Sequence, residues 1–236
     1  MKIYPRKKPR IIWLSIIYKI FRFLPISPMK KFKFFAQLEW IFWRMAREQS
    51  SALYMKNENI FSNSTVDFLK NTVDKDVKVL DLGCSSGELS YLLSIYCKSI
   101  IGIDYDEKLI SEAKLKYKEI DNLTFKVGII PDILKNNFEY FDLIVCSHII
   151  EHIDDYESLL KELKKYGKKI YIEVPDFDSN DLNFLKKKLN VEPTYTDADH
   201  VREFDRAFLL NFFNKNNFKI IKEEYKDCVM RFLVEC

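Results

Sequence analysis

Residues 79–90 read Val-Leu-Asp-Leu-Gly-Cys-Ser-Ser-Gly-Glu-Leu-Ser, and this stretch decides the fold. The short run Val77–Leu82 carries β-branched and aliphatic residues, which predicts a buried parallel strand. It breaks into Gly83-Cys84-Ser85-Ser86-Gly87. Two glycines around three small residues let the backbone turn sharply and leave space for a ligand. From Glu88 to Tyr96 a helical pattern resumes, with Leu89, Leu92 and Leu93 on one face. Strand, small-residue loop and helix start together build the ligand cradle of doubly wound α/β folds.

A second short strand, Ser99–Asp104, ends in an acid 17 positions after Gly87. An acid so placed accepts hydrogen bonds from both hydroxyls of a ribose. The bare alternative is a βαβ unit whose acid caps the helix Glu107–Glu119. The loop lacks the Gly-x-Gly-x-x-Gly spacing of dinucleotide-binding folds. With Asp81 two positions before Gly83 and Asp104 downstream, it resembles motif I of the class I S-adenosylmethionine-dependent methyltransferases. That resemblance implies S-adenosylmethionine as cofactor. Asp81, Gly83, Cys84, Ser85 and Gly87 then border its methionyl part, Asp104 its ribose, and Tyr105 an adenine face. Relatives often carry an acid directly after the glycine that follows the third strand. Here Gly128 is followed by Ile129, so the adenine contact falls to the backbone of Ile129 and Ile130, or to Asp132. Ser147, at the end of the fourth strand, completes the expected cofactor set.

Downstream the pattern alternates regularly. Strands are predicted at Leu123–Val127, Phe141–Cys146 and Lys169–Val174, and helices at Tyr156–Lys165 and Asp205–Lys215. Two final strands, Phe218–Glu224 and Cys228–Val234, are joined by a few residues and so pair antiparallel. The fold class is therefore α/β: a doubly wound, mostly parallel seven-stranded sheet with a terminal antiparallel hairpin, the Rossmann-like methyltransferase fold. An N-terminal helical extension, residues 1–60, precedes this domain at 61–236.

Composition is that of a soluble globular protein. Charge is uneven: before Glu39 there are ten bases and no acid, leaving 28 bases against 35 acids in the remainder. Ile11–Leu24 is 14 residues long and includes Lys19 and Arg22. It is too short and too charged to span a bilayer, and no small-residue cleavage site follows. Lys30 to Lys56 reads as a second helix, and Thr65–Val73 as a third capped by Ser62 or Ser64. Two readings stand for the extension: a lid packing its aromatics on the core, or a peripheral contact of residues 1–28 with the inner face of an anionic membrane. The five cysteines show no C-x-x-C spacing, which suits reduced thiols in the cytoplasm. Because the bases sit in one arm on an acidic body, nucleic acid ranks last among partners.

All three histidines fall in two segments, Cys146–Asp155 and Asp197–Phe204. The first resembles the post-strand segment of methyltransferases acting on sugars, quinones and small molecules. Ubiquinone O-methyltransferases and small-RNA 2′-O-methyltransferases carry an acid-x-x-Glu-His motif there that binds a divalent cation. Here His148 replaces the first acid. The resemblance implies a metal set of His148, Glu151, His152 and His200. Imidazoles with one carboxylate suit Zn, Mn, Fe or Co better than Mg. The other reading makes a histidine the general base, His148 first, with His152 and His200 as further candidates. The bland reading has Glu151 and His152 cap the next helix. Methyl transfer from a sulfonium is an in-line displacement, and a hydroxyl acceptor also needs a proton removed. An O-methyltransferase of a glycan or small-molecule hydroxyl follows; RNA or amine methylation, or a non-catalytic cofactor-binding subunit, are the alternatives.

Overall fold

The structure, a computed structural model, describes residues 12–54, 60–130, 139–192, 197 and 199–236. The chain divides into two compact units, Met1–Met45 and Ala46–Cys236. The division falls inside the second helix, earlier than the boundary after residue 60 that composition suggested.

In the first unit, α1 (Ile12–Phe23) is followed by α2 (Pro28–Tyr54), which runs on into the second unit. Proline at the first helical position has no orphan amide to leave unpaired. The Phe21 ring of α1 meets Phe34 and Phe35 of α2 at 5.6 Å and 5.1 Å between centroids.

After α2 the second unit continues with α3 (Ile60–Leu69), so Ser62 and Ser64 lie within the helix instead of capping it. Then come β1 (Lys78–Leu82), α4 (Glu88–Ser94), β2 (Ser99–Asp104), α5 (Glu107–Lys116) and β3 (Leu123–Val127). β4 (Phe141–Ser147) leads through a 3₁₀ turn, Ile150–His152, to α6 (Tyr156–Leu163) and β5 (Gly167–Pro175). A second 3₁₀ turn, Phe177–Ser179, and α7 (Asp181–Lys188) come next. α8 (Arg206–Lys215), β6 (Lys219–Lys226) and β7 (Val229–Glu235) follow.

The strand order is β3-β2-β1-β4-β5-β7-β6. Strands β1 to β5 are parallel, while β7 runs antiparallel to both β5 and β6. The doubly wound seven-stranded reading holds. Each buried strand is apolar on both faces because helices cover both. Leu80, Ile144, Ile172 and Phe232 face a core shared with Tyr156, Leu160, Leu209 and Phe213. Val79, Val145, Tyr171 and Leu233 face another, shared with Phe68, Leu69, Leu93 and Ile110. That second face also receives the charged residues Asp81, Glu173 and Arg231, all buried, by the two-residue alternation of the strands.

Aspartates cap three of the helices. Asp106 accepts from the amides of Lys108 and Leu109, and Asp205 from Phe208. Asp155 caps α6 through Ser158, so Glu151 and His152 are not its cap. Nor does Asp104 cap α5; its neighbour Asp106 does.

Candidate functional site

Ligands of open α/β sheets bind beyond the carboxyl ends of the strands, where the strand order reverses. Here the reversal lies between β1 and β4. The amides of Gly83 and Cys84 both donate to the carbonyl of Ile103, at 2.7 Å and 3.0 Å, which ties the loop after β1 to β2. Gly83 and Gly87 have φ of 68° and 79°, and Ser85 also adopts the left-handed region. A Cβ on Gly87 would lie 2.4 Å from the Phe125 ring, and one on Gly83 1.8 Å from Ile149 Cδ1. The space that sequence reserved for a ligand at these two positions is thus filled by protein side chains. The glycines are needed for the turn and for this close packing.

Asp104 is the second anchor. One carboxylate oxygen accepts from the Ser85 amide at 2.8 Å and the other from the Asp106 amide at 3.0 Å. Each oxygen keeps a second lone pair for a ribose hydroxyl. The expected ribose acid therefore also holds the glycine loop in shape. Tyr105 beside it is 78% exposed, a bare aromatic face at the strand end. Ile129 is exposed and Ile130 half-buried, while Asp132 lies outside the described residues. Asp81 is buried and accepts from the Ser90 hydroxyl of α4. Burial pushes its pKa up to about 7, against the lowering effect of that bond. Cys84 is buried, and burial pushes its thiol pKa up, so it serves as packing.

The end of β4 meets a buried acid on β5. Glu173 accepts from the hydroxyls of Ser147 at 2.9 Å, Thr65 at 2.9 Å and Tyr171 at 2.7 Å. Arg231 Nε of β7 donates to it at 2.6 Å, and Nη1 of the same side chain reaches Glu224 at 3.0 Å. His148 has φ of 54°, its amide donates to the Glu173 carbonyl, and its Nε2 lies 3.4 Å from Glu173 Oε1. Its Nδ1 lies 3.1 Å from Glu151 Oε1. Burial alone would lower the His148 pKa, but the two carboxylates outweigh it and raise it to about 9. Burial alone would raise the Glu173 pKa; the bond and charge of His148, with Arg231 and Tyr171, hold it at about 2.

Both ring nitrogens of His148 face carboxylates, whose charge favours the protonated ring over a free general base. Its Nδ1 touches Glu151, but it is not part of the cluster of ligand atoms that Glu151 forms with two other histidines. Among the described residues, Glu151, His152 and His200 offer ligand atoms that all lie within 4.8 Å of one another. The His152 and His200 rings meet edge to face at 4.8 Å. His152 Nδ1 is 3.3 Å from the carbonyl of Asp199, and His200 Nδ1 is 3.1 Å from Glu203 Oε1. Holding each Nδ1 leaves Nε2 as the ligand atom, the arrangement that fixes tautomer and ring direction in metal sites. Glu151 is 1% exposed, and its Oε2 is buried with no hydrogen-bond partner. A buried carboxylate oxygen left unpaired is costly, and a bound cation would satisfy it. The donor set fits a divalent ion.

Sequence reading missed Thr65, Tyr171, Glu173, Glu203 and Arg231. A signal for two of them was present: Glu173 and Arg231 each interrupt a run of apolar residues. Opposed charges in two neighbouring strands point to a buried pair, once the strands are known to be in register.

Similarity to known proteins bears on the family and the fold. A family model described as a methyltransferase domain matches residues 73–225. A ubiquinone biosynthesis O-methyltransferase of Pelagibacter ubique is 35% identical over 114 residues, which is 47% of this chain and 47% of that protein. The chain thus matches about half the length of that curated relative. Among solved structures, an S-adenosylmethionine-dependent methyltransferase from Clostridium acetobutylicum superposes with a TM-score of 0.57 at 16% identity, over 83% of this chain and 98% of its own. A magnesium protoporphyrin IX methyltransferase from Synechocystis with bound S-adenosylmethionine gives a TM-score of 0.52 at 17% identity, over 74% and 76%. These two likenesses concern the fold. The glycine loop tied to β2, the acid at the tip of β2 and the family match spanning both lead to one conclusion: the chain belongs to the methyltransferase domain family.

Proposed function

We propose that the protein transfers the methyl group of S-adenosylmethionine to a hydroxyl of a small molecule, with a divalent cation held by Glu151, His152 and His200. The single observation that carries the acceptor chemistry is the unpaired, buried Oε2 of Glu151 beside two imidazoles whose Nδ1 atoms are already held. An amine acceptor needs no such site, because neutralisation in solution is enough. The similar proteins act in ubiquinone biosynthesis, which favours a phenolic hydroxyl over the glycan hydroxyl.

The loop Gly83–Gly87 would hold the cofactor, with Asp104 serving its ribose and Tyr105 its adenine. Glu151, His152 and His200 would hold the cation, which would supply Lewis-acid activation of the acceptor hydroxyl. The chain's own residues do the rest. Glu203 and the Asp199 carbonyl hold the two imidazoles in the ligating tautomer. His148 sits between Glu151 and Glu173, and its bond and charge help hold the Glu173 carboxyl well below its ordinary pKa. Without a cation, His152 and His200 would offer their Nε2 atoms to accept the proton, since both His148 ring nitrogens already face carboxylates.

The test uses protein purified without an affinity tag. Bound metal is measured by mass spectrometry, S-adenosylhomocysteine binding by calorimetry, and methyl transfer to phenols with and without chelator. Expected are a sub-stoichiometric to stoichiometric transition metal, clear binding heat, and transfer that chelator abolishes. Absence of binding heat overturns the cofactor reading. Full transfer in chelator, with no metal found, overturns the cation. Transfer to amines or glycans alone overturns the acceptor class.

A further inference from the structure

The first helix presents an unusual surface. On a wheel turning 100° per residue, Ser15, Lys19 and Arg22 of α1 share one narrow stripe. Everything else in Ile12–Phe23 is apolar or aromatic, and the helix buries none of its residues. The contacts of Phe21 with Phe34 and Phe35 show which side meets α2. On the same wheel Ile12, Trp13, Ile16, Ile20 and Phe23 cluster away from Phe21. Trp13 is 75% exposed and Phe23 80%. Water does not hold such a face open without a partner.

We propose that α1 lies in the plane of an anionic lipid surface, with Ile12, Trp13, Ile16, Ile20 and Phe23 in the acyl boundary and Lys19 and Arg22 at the headgroups. Three observations select this occupant. The charge is complementary: no acid precedes Glu39, whereas ten bases do, and Lys30, Lys31 and Lys33 open α2 close to the same end. A second copy of this chain would place those cations against one another. No helix among the described residues is long and apolar enough to cross a membrane, so an in-plane position is the one left to α1 in lipid. Indole at the edge of the apolar face suits the boundary between headgroups and chains. The proposal is independent of the methyl-transfer reading.

Sedimentation of the full chain with vesicles tests it. One vesicle contains phosphatidylglycerol and phosphatidylcholine, the other phosphatidylcholine alone. The expected result is binding at least tenfold tighter to the anionic vesicle, weakening as salt rises. Ile16→Glu with Ile20→Glu lowers the bound fraction at least tenfold, and Lys19→Glu with Arg22→Glu removes the preference for anionic lipid. Quenching of tryptophan fluorescence by brominated lipid falls in Trp13→Phe. Circular dichroism and S-adenosylhomocysteine binding check that each variant is folded. Equal binding to both vesicles overturns the headgroup assignment. Wild-type protein that ignores vesicles, or that self-associates through α1 instead, overturns the proposal.

Discussion

Glu173 of β5 and Arg231 of β7 are direct partners across an antiparallel pairing, and Arg231 Nε donates to the Glu173 carboxylate at 2.6 Å with both side chains out of solvent. The pair sits directly behind His148 and Ser147. A buried pair of this kind contributes little net stability compared with apolar residues, but breaking one half is severe. Arg231→Met leaves Glu173 buried without its cation and is expected to cost about 3–5 kcal/mol. Replacing both residues by apolar ones should cost less than the sum of the single changes. Urea unfolding of the four proteins measures this, and additive losses would show that the two residues act separately.

Stability should also depend on pH at both ends of the range. The folded pKa of His148 is raised from 6.5 to about 9, so its contribution is fully present below about pH 6.5 and is lost as pH rises through 9. Glu173 is held at about 2 against 4.5, so its contribution is present above about pH 4.5 and is lost as pH falls toward 2. Proton NMR of the His148 ring should show titration far above the ordinary histidine range. In Glu151→Gln the midpoint should fall. A midpoint near 6.5 in the wild-type protein would show that the carboxylates do not hold the proton.

The glycine loop tolerates no side chain at its second turn. Gly87→Ala adds a Cβ 2.4 Å from the Phe125 ring and 3.2 Å from the Ala113 Cβ, at φ of 79°. Left-handed backbone alone costs an alanine about 1 kcal/mol or more, and the clash adds to it. Loss of about 2–4 kcal/mol of stability is expected, with S-adenosylhomocysteine affinity reduced at least tenfold. Calorimetry and unfolding together check it; unchanged affinity would place the cofactor elsewhere.

Asp104 offers a gentler probe. Asp104→Asn keeps the shape but replaces one acceptor oxygen by a donor, which then opposes the Ser85 or Asp106 amide. The hydrogen bonds of a charged acceptor are worth about 1.5–3 kcal/mol each. Loop stability and cofactor affinity should fall together in that variant, read as protection of the Ser85 amide in hydrogen exchange and as binding heat. Full protection with lost binding would separate the two roles.

The cation site makes a prediction for residues that would not touch the ion. Glu203→Gln loosens the hold on the His200 Nδ1 and should weaken metal affinity about 10- to 100-fold. His200→Ala and His152→Ala should abolish it, whereas His148→Ala should leave it measurable. Titration with Zn or Mn followed by calorimetry distinguishes these. Metal binding lost equally in all four variants would mean that His148 is a ligand after all.

Much of this was legible before any coordinates. Loop and strand β2 were clear because glycine spacing, strand length and the terminal acid reinforce one another at short range. The terminal hairpin was clear for the same reason, since a few residues between two strands allow only one pairing. What stayed hidden depends on long-range register. His148 looks like a free base in sequence, and only the approach of β5 shows that Glu173 already occupies its Nε2. Helix α7 was hidden because Asp181–Lys188 is mostly polar, with Phe184 and Leu185 exposed, so it carries no strong amphipathic signal. The helix starts were misjudged by several residues at α3, where hydroxyl residues that resemble caps lie inside the helix.

Arg231 lies 58 residues downstream of Glu173. During synthesis β1 to β5 therefore leave the ribosome with Glu173 beside His148 but before its guanidinium partner is made. Closing the β5 edge before β7 arrives would leave the buried carboxylate without that partner. Order of synthesis and order of assembly are thus coupled: β7 both pairs with β5 and brings the cation that its buried acid faces.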